Sequence, residues 1–162
     1  MKIIKTTIAL LAIFCSAQIF AQKTLTIEQT NKMADNAQLY EDNGDKAMMM
    51  FILTQNGNSY DQAITLYKNS IAAYDTVMTS GTASQNSAGS LAQWYTLSLT
   101  GVQDKMSMYQ GFVHDEIAHE TPKDRKKKVT YEEKDYTISS FDKTYYGMLK
   151  DDIEKSAKRQ KK

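Results

Sequence analysis

Only two histidines occur in this chain, and both lie in His114-Asp115-Glu116-Ile117-Ala118-His119. On a helix Glu116 and His119, three residues apart, share a face. That is half of the Glu-x-x-His pattern that di-iron bundles assemble from two facing copies. A second copy needs a second histidine outside this segment, and the chain has none. His114 and His119 are five apart and diverge on a helix, so they are not the histidine pair, four apart, of zinc proteases. Nine methionines suggest a second metal chemistry: Met48, Met49 and Met50 are consecutive, Met106 and Met108 precede His114, and thioether sulfur suits cuprous ions. Three consecutive helical residues face three directions, however, and Met33, Met78 and Met148 fall at core-like positions where methionine fills gaps. Glu116, His119, His114, Met106 and Met108 therefore form an incomplete ligand set. No metal and no cofactor are expected, and a periplasmic metal-binding protein built on Glu116, His119 and the methionines is a competing reading.

Other chemistries lack parts. There is no Gly-x-Ser-x-Gly elbow to present a nucleophilic serine, and no glycine-rich phosphate loop. The single cysteine, Cys15, falls in the N-terminal leader, which excludes a thiol enzyme or a cysteine-ligated metal after processing. Paired carboxylates such as Asp151 and Asp152 read as the solvated side of a helix. No catalytic residue emerges, and the chain is expected not to be an enzyme.

The leader has the three parts of a secretion signal. Lys2 and Lys5 precede an apolar run from Ile8 to Phe14, and Ile19-Phe20-Ala21 ends on a small residue. This predicts cleavage between Ala21 and Gln22, with Ala17 as the second choice of site. The apolar run is short of the ~20 residues that span a bilayer. A lipoprotein signal would put a small residue before Cys15, and Phe14 stands there instead. The expected mature chain is one soluble domain over 22–162, periplasmic or secreted, with a basic, frayed C-terminal tail.

One proline in 162 residues favours helices over a turn-rich sandwich. Thr26 and Gln29 form a capping box. Ile27, Thr30, Ala34, Ala37, Tyr40, Gly44, Met48, Phe51 and Ile52 then keep a three-four rhythm, which predicts a helix over about 27–56. It is read as continuous through Asn43-Gly44-Asp45, with Gly44 admitting a neighbour. Ser59 and Gln62 box a second helix over about 60–79, with a stripe through Tyr60, Ala63, Ile64, Tyr67, Ile71, Tyr74, Val77 and Met78. Residues 81–90 are a small-residue connection. A third, long helix runs from Leu91 through Tyr95, Leu99, Val102, Met106 and Tyr109 to the stop at Pro122. Val129-Thr130-Tyr131 and Tyr136-Thr137-Ile138 suggest a hairpin over 129–138 that must lean on a helix. Ser140 is placed to cap a last helix, with Phe141, Tyr145, Met148, Leu149, Ile153 and Ala157 on one face. The fold expected is mostly all-α: an antiparallel four-helix bundle with a small β-hairpin before its last helix.

Gln55-Asn56-Gly57 and the helix after it carry Gly57, Tyr60, Ala63, Ile64, Tyr67, Ser70 and Ile71. This stretch resembles the turn and second helix of a tetratricopeptide repeat, with one extra residue in the turn. The likeness is one helical hairpin, about 46–79, with no second copy at the 34-residue spacing. It implies a peptide- or protein-binding scaffold, with Tyr60, Tyr67 and Trp94 as candidate partner contacts. Charge is asymmetric. Residues 23–121 hold five lysines and no arginine against eleven acids, and residues 122–162 hold thirteen basic residues against eight acidic ones. An acidic body and an export signal argue against nucleic acid. The function expected is an exported, non-enzymatic partner-binding protein such as an accessory subunit of an envelope or secretion assembly. Contact of the basic third with anionic lipid or polymer is a further reading.

Overall fold

Thr26 starts the first helix as its spacing predicts. Its hydroxyl accepts from the Gln29 N–H at 3.2 Å, and the Gln29 side chain accepts from the Thr26 N–H at 3.0 Å. The computed structural model describes residues 25–80, 90–115, 121, 123, 125–139 and 142–161, with the main chain alone at 90–92 and 113–115. The leader with Cys15, Ala21 and Gln22, the 81–89 connection, Glu116, His119, Pro122, Ser140 and Phe141 lie outside the described residues.

Helix α1 (Ile27–Thr54) runs unbroken through Asn43-Gly44-Asp45. Glycine costs a helix interior about 1 kcal/mol, and the reason for it here is steric. A Cβ on Gly44 would stand 2.7 Å from Cε1 of Tyr67, whose ring lies against the bare backbone. Only Gln55 and Asn56 join α1 to α2 (Gly57–Thr79). Gln55 takes the left-handed conformation at φ 58°. The Asn56 side chain accepts from the Asn58 N–H at 3.0 Å, so Asn56 caps the helix. Helix α2 thus begins three residues before the start that Ser59 and Gln62 suggest. Phe51 meets Tyr60, Asp45 meets Tyr67, and Ala37 meets Ser70 at successive levels. Those pairs make α1 and α2 antiparallel.

Helix α3 (Ser90–Asp115) returns along α2, with Thr96 near Met78 and Tyr109 stacked on Tyr67. Strands β1 (Lys127–Tyr131) and β2 (Lys134–Ile138) pair antiparallel, Lys127 opposite Ile138 and Tyr131 opposite Lys134. Their turn is Glu132-Glu133 alone, tighter than the four-residue link expected, and both glutamates have positive φ, 46° and 63°. Helix α4 (Asp142–Arg159) runs back along α1. Ser139 and Asp142 cap it reciprocally: the Ser139 hydroxyl accepts from the Asp142 N–H, and the Asp142 carboxylate accepts from the Ser139 N–H. That places the cap one residue before Ser140. Among the described residues the architecture is the mostly-α antiparallel bundle of four helices with a two-stranded hairpin.

Every residue from Ala47 to Leu53 is buried or half-buried, which marks a segment covered on all sides. Helix α2, helix α4 and β2 provide the cover, and Ile138 of β2 is fully buried. The hairpin is also tied to α4, where the Tyr146 hydroxyl donates to the Thr130 carbonyl at 2.9 Å. Some predicted core positions face out: Ile27, Tyr40, Met148 and Ala157 are exposed. On α4 the buried side is instead Asp142, Tyr146, Leu149 and Ser156, so the stripe is turned by about one residue. Among the described residues no helix is long and apolar enough to cross a membrane.

Candidate functional site

Asp42 and Asp45 sit in the middle of α1 and are buried. An unpaired buried carboxylate is too costly to keep, and each has cationic partners brought by later helices. Lys105 of α3 places its ammonium 2.8 Å from Glu41 Oε1, 3.0 Å from Asp45 Oδ2 and 3.4 Å from Asp152 Oδ2 of α4. The Tyr67 hydroxyl of α2 donates to Asp45 Oδ1 at 2.8 Å. The Asp45–Lys105 pair is therefore where the four described helices are joined through polar groups.

Burial pushes the Asp45 carboxyl up from 3.8 to about 6, with Lys105 and the Tyr67 hydroxyl offsetting only part of the rise. Burial acts to lower the Lys105 ammonium, but Asp45 and then Glu41 outweigh it and hold the group above its ordinary value. Tyr67 is held well above the usual phenol value, by burial first and by Asp45 second. At neutral pH the cluster is thus an ammonium and a phenol donor shared among acceptors.

Above this cluster the bundle opens. Helices α3 and α4 touch where Tyr109 and Phe112 meet Tyr145. Towards Trp94 and Arg159 they form the two walls of a groove of 390 Å³, with Gln38 and Glu41 of α1 as its floor. Trp94, Ser98 and Gly101 make one wall, and Asp152, Lys155 and Arg159 the other. The groove continues into a second hollow of 460 Å³ against Ala34, Asp35, Leu39 and Asp42. Asp42 accepts from Arg159 at 3.1 Å, from Gln160 at 3.3 Å and from Gln38 at 3.3 Å. Trp94 is the only tryptophan of the chain and is 46% exposed, edge-on to Tyr74 at 6.4 Å.

The candidate residues from the sequence divide accordingly. Trp94 lines the groove. Tyr60 is half-buried against Phe51 at 5.4 Å between ring centroids. Tyr67 is fully buried, which removes it from the surface and makes it a packing and hydrogen-bonding residue. Met106 and Met108 pack partly buried against the core. His114 lies on α3 with only its main chain described, apart from Glu116 and His119, which are outside the described residues. Among the described residues no three or more His, Cys, Asp or Glu side chains are arranged to hold a metal ion; Glu41, Asp45 and Asp152 converge on an ammonium. Asp152, expected to be merely solvated, belongs to that cluster.

No family model, curated protein or solved structure matches this chain. The residues that resemble a tetratricopeptide helix have a local explanation. Ala63, Ile64, Tyr67 and Ser70 are the buried side of α2, and they pack the hairpin with α1.

Sequence reading misses Asp42, Asp45 and Lys105. The acids flank Gly44 and read as the wet edge of an amphipathic helix. Lys105 carried a usable signal. It falls three residues after Val102 and four before Tyr109, inside the apolar rhythm of α3, where a lone cation implies a buried partner.

Proposed function

We propose that this chain is an exported, non-enzymatic protein that binds a partner polypeptide, a component of an envelope or secretion assembly, in the groove between α3 and α4. The observation that carries the reading is the half-exposed Trp94 on the wall of an open groove whose floor is fixed by ion pairs. A large amphipathic ring beside a rigid polar floor is the arrangement found at binding hot spots. Leu97, three residues further along α3, is also exposed. The groove cations are engaged with carboxylates, which suits recognition better than proton transfer. Export rests on the leader, and intact-mass measurement of the exported chain should find Gln22 at its N-terminus; a lipid-modified Cys15 would overturn that part.

The test is a photocrosslinking amino acid placed at Lys155, on the groove wall, and at Lys68, on the exposed side of α2. In the native envelope, position 155 should label one discrete protein and position 68 should not. Trp94→Ala should abolish that label while costing about 1 kcal/mol of stability, the worth of its ring contacts. Equal labelling at both positions, or labelling indifferent to Trp94, would overturn the reading.

A second reading draws on the hairpin, where Lys126, Lys127 and Lys128 are all exposed. Contact with an anionic lipid or polymer surface would follow from them. Sedimentation with vesicles containing phosphatidylglycerol, lost at high salt and in a triple Lys→Gln variant, would favour this reading over the groove.

A further inference from the structure

The far end of the groove already holds a cation, and that cation belongs to the chain itself. The Arg159 guanidinium reaches across from α4 to Asp42 Oδ1 at 3.1 Å; its side chain is 55% exposed, while that of Asp42 is 4% exposed. A buried carboxylate thus depends on a cation that water can reach from outside. Arg159 is also the last residue of α4, where helices fray, so its hold on Asp42 is readily loosened. The two hollows together carry five carboxylates, those of Asp35, Glu41, Asp42, Asp45 and Asp152, against three cations. Trp94 walls both hollows, and a guanidinium over an indole face gains further from its ring. Behind Trp94 lies Tyr74, fully buried, its ring edge-on to the indole at 6.4 Å.

We propose that the Asp42–Trp94 end of the groove is a recognition pocket for an arginine side chain of a basic partner polypeptide, which enters by displacing Arg159 from Asp42. The proposal rests on the groove reading above and names its ligand. Charge complementarity selects the partner, since the groove has an excess of carboxylates and its exposed contact to the buried Asp42 is itself a guanidinium–carboxylate pair. Arg159 acts as an internal competitor that keeps Asp42 paired until the partner arrives. Removing it should therefore strengthen binding, where removal of a simple contact residue would weaken it.

Trp94 fluorescence reports occupancy directly, because no other tryptophan contributes. The probes are a blocked peptide of alternating arginine and leucine, the same peptide with citrulline for arginine, and spermidine. The full mature chain should respond to the arginine peptide and not to the citrulline one. Arg159→Ala should bind the arginine peptide several-fold more tightly, and its lowered melting temperature should be restored by N-acetyl-arginine amide but not by the citrulline analogue. Asp42→Asn should lose the response. The proposal is overturned if Arg159→Ala binds no better than the parent, if citrulline serves as well as arginine, or if spermidine outcompetes the peptide. Because Arg159→Ala tests a gain, poor folding of Asp42→Asn would not decide the matter. If the arginine peptide fails while crosslinking from position 155 still labels a partner, this inference falls and the groove reading stands; if both fail, both fall.

Discussion

Gly44 and Tyr67 form a lock in which the absence of one side chain makes room for another. Gly44→Ala would raise helix propensity by about 1 kcal/mol, yet its Cβ would stand 2.7 Å from the Tyr67 ring. The steric term should win, with a net loss of ~1–3 kcal/mol by chemical denaturation. Combining it with Tyr67→Leu should recover part of that loss, a coupling that a double-mutant cycle reads directly. Tyr67→Phe keeps the ring but leaves Asp45 without its phenol donor, and should cost about 1.5–3 kcal/mol. Asp45 itself predicts a pH effect. Its folded value of about 6 lies above the ordinary 3.8, so between those values the folded chain retains a proton that the unfolded chain has released. This contribution to stability is complete below about pH 4 and is lost as pH rises through about 6. Melting curves from pH 4 to pH 7 should show that decline in the parent and not in Asp45→Asn. The Gly44 contact was legible, because a glycine that keeps the phase of an apolar stripe implies close approach. The buried acids were not, because one-dimensional patterning ranks aspartate as exposed and cannot see an ammonium arriving from sixty residues away.

Among the elements, α1 is the one the others are built around, and the Arg125 side chain fastens its C-terminal end. The Arg125 guanidinium donates to the carbonyls of Ile52 and Leu53, the latter at 3.0 Å, and lies 3.6 Å from the Asp142 carboxylate at the start of α4. It satisfies the last carbonyls of one helix, complements their dipole and fastens the next helix to them. Arg125→Ala should cost about 2–4 kcal/mol in urea unfolding, and Arg125→Lys should recover less than half, since one ammonium cannot replace a forked donor. The hairpin gives a test of the opposite sign. Glu132 and Glu133 both occupy positive φ, where asparagine and glycine are favoured. Glu132→Asn with Glu133→Gly should raise stability by about 1 kcal/mol, seen as a higher melting temperature. The hairpin itself was readable from its two β-prone triplets. Its tight turn was not, because two glutamates carry no turn signal, and the four polar residues between the triplets read as a longer loop. The four helices were legible because each keeps its period for several turns. The register of α4 was misjudged at Met148 and Ala157 because its stripe is narrow and its buried side includes Asp142 and Ser156, which an apolar count passes over.

For the molecule as a whole, the acidic body and basic C-terminal third visible in the sequence are joined in space by Arg159 with Asp42 and Lys105 with Asp152. Part of the charge asymmetry is therefore neutralised inside the fold, and only the remainder is left on the surface. The same pairs set an order of events. A chain threaded N-terminus first delivers Asp42 and Asp45 long before their cations, since Arg159 follows Asp42 by 117 residues and Lys105 follows Asp45 by 60. At that stage the α1–α2 hairpin also lacks the cover that α4 and β2 give to Ala47–Leu53. A nascent hairpin in that state has two carboxylates without counterions and an oily flank without a lid, so it should stay unsettled until the last helix has emerged. A peptide of residues 25–80 alone should show weak, pH-sensitive helicity by circular dichroism, rising as the carboxylates are protonated. The late arrival of structure fits the export proposed above, since a chain that crosses a channel unfolded has to fold afterwards.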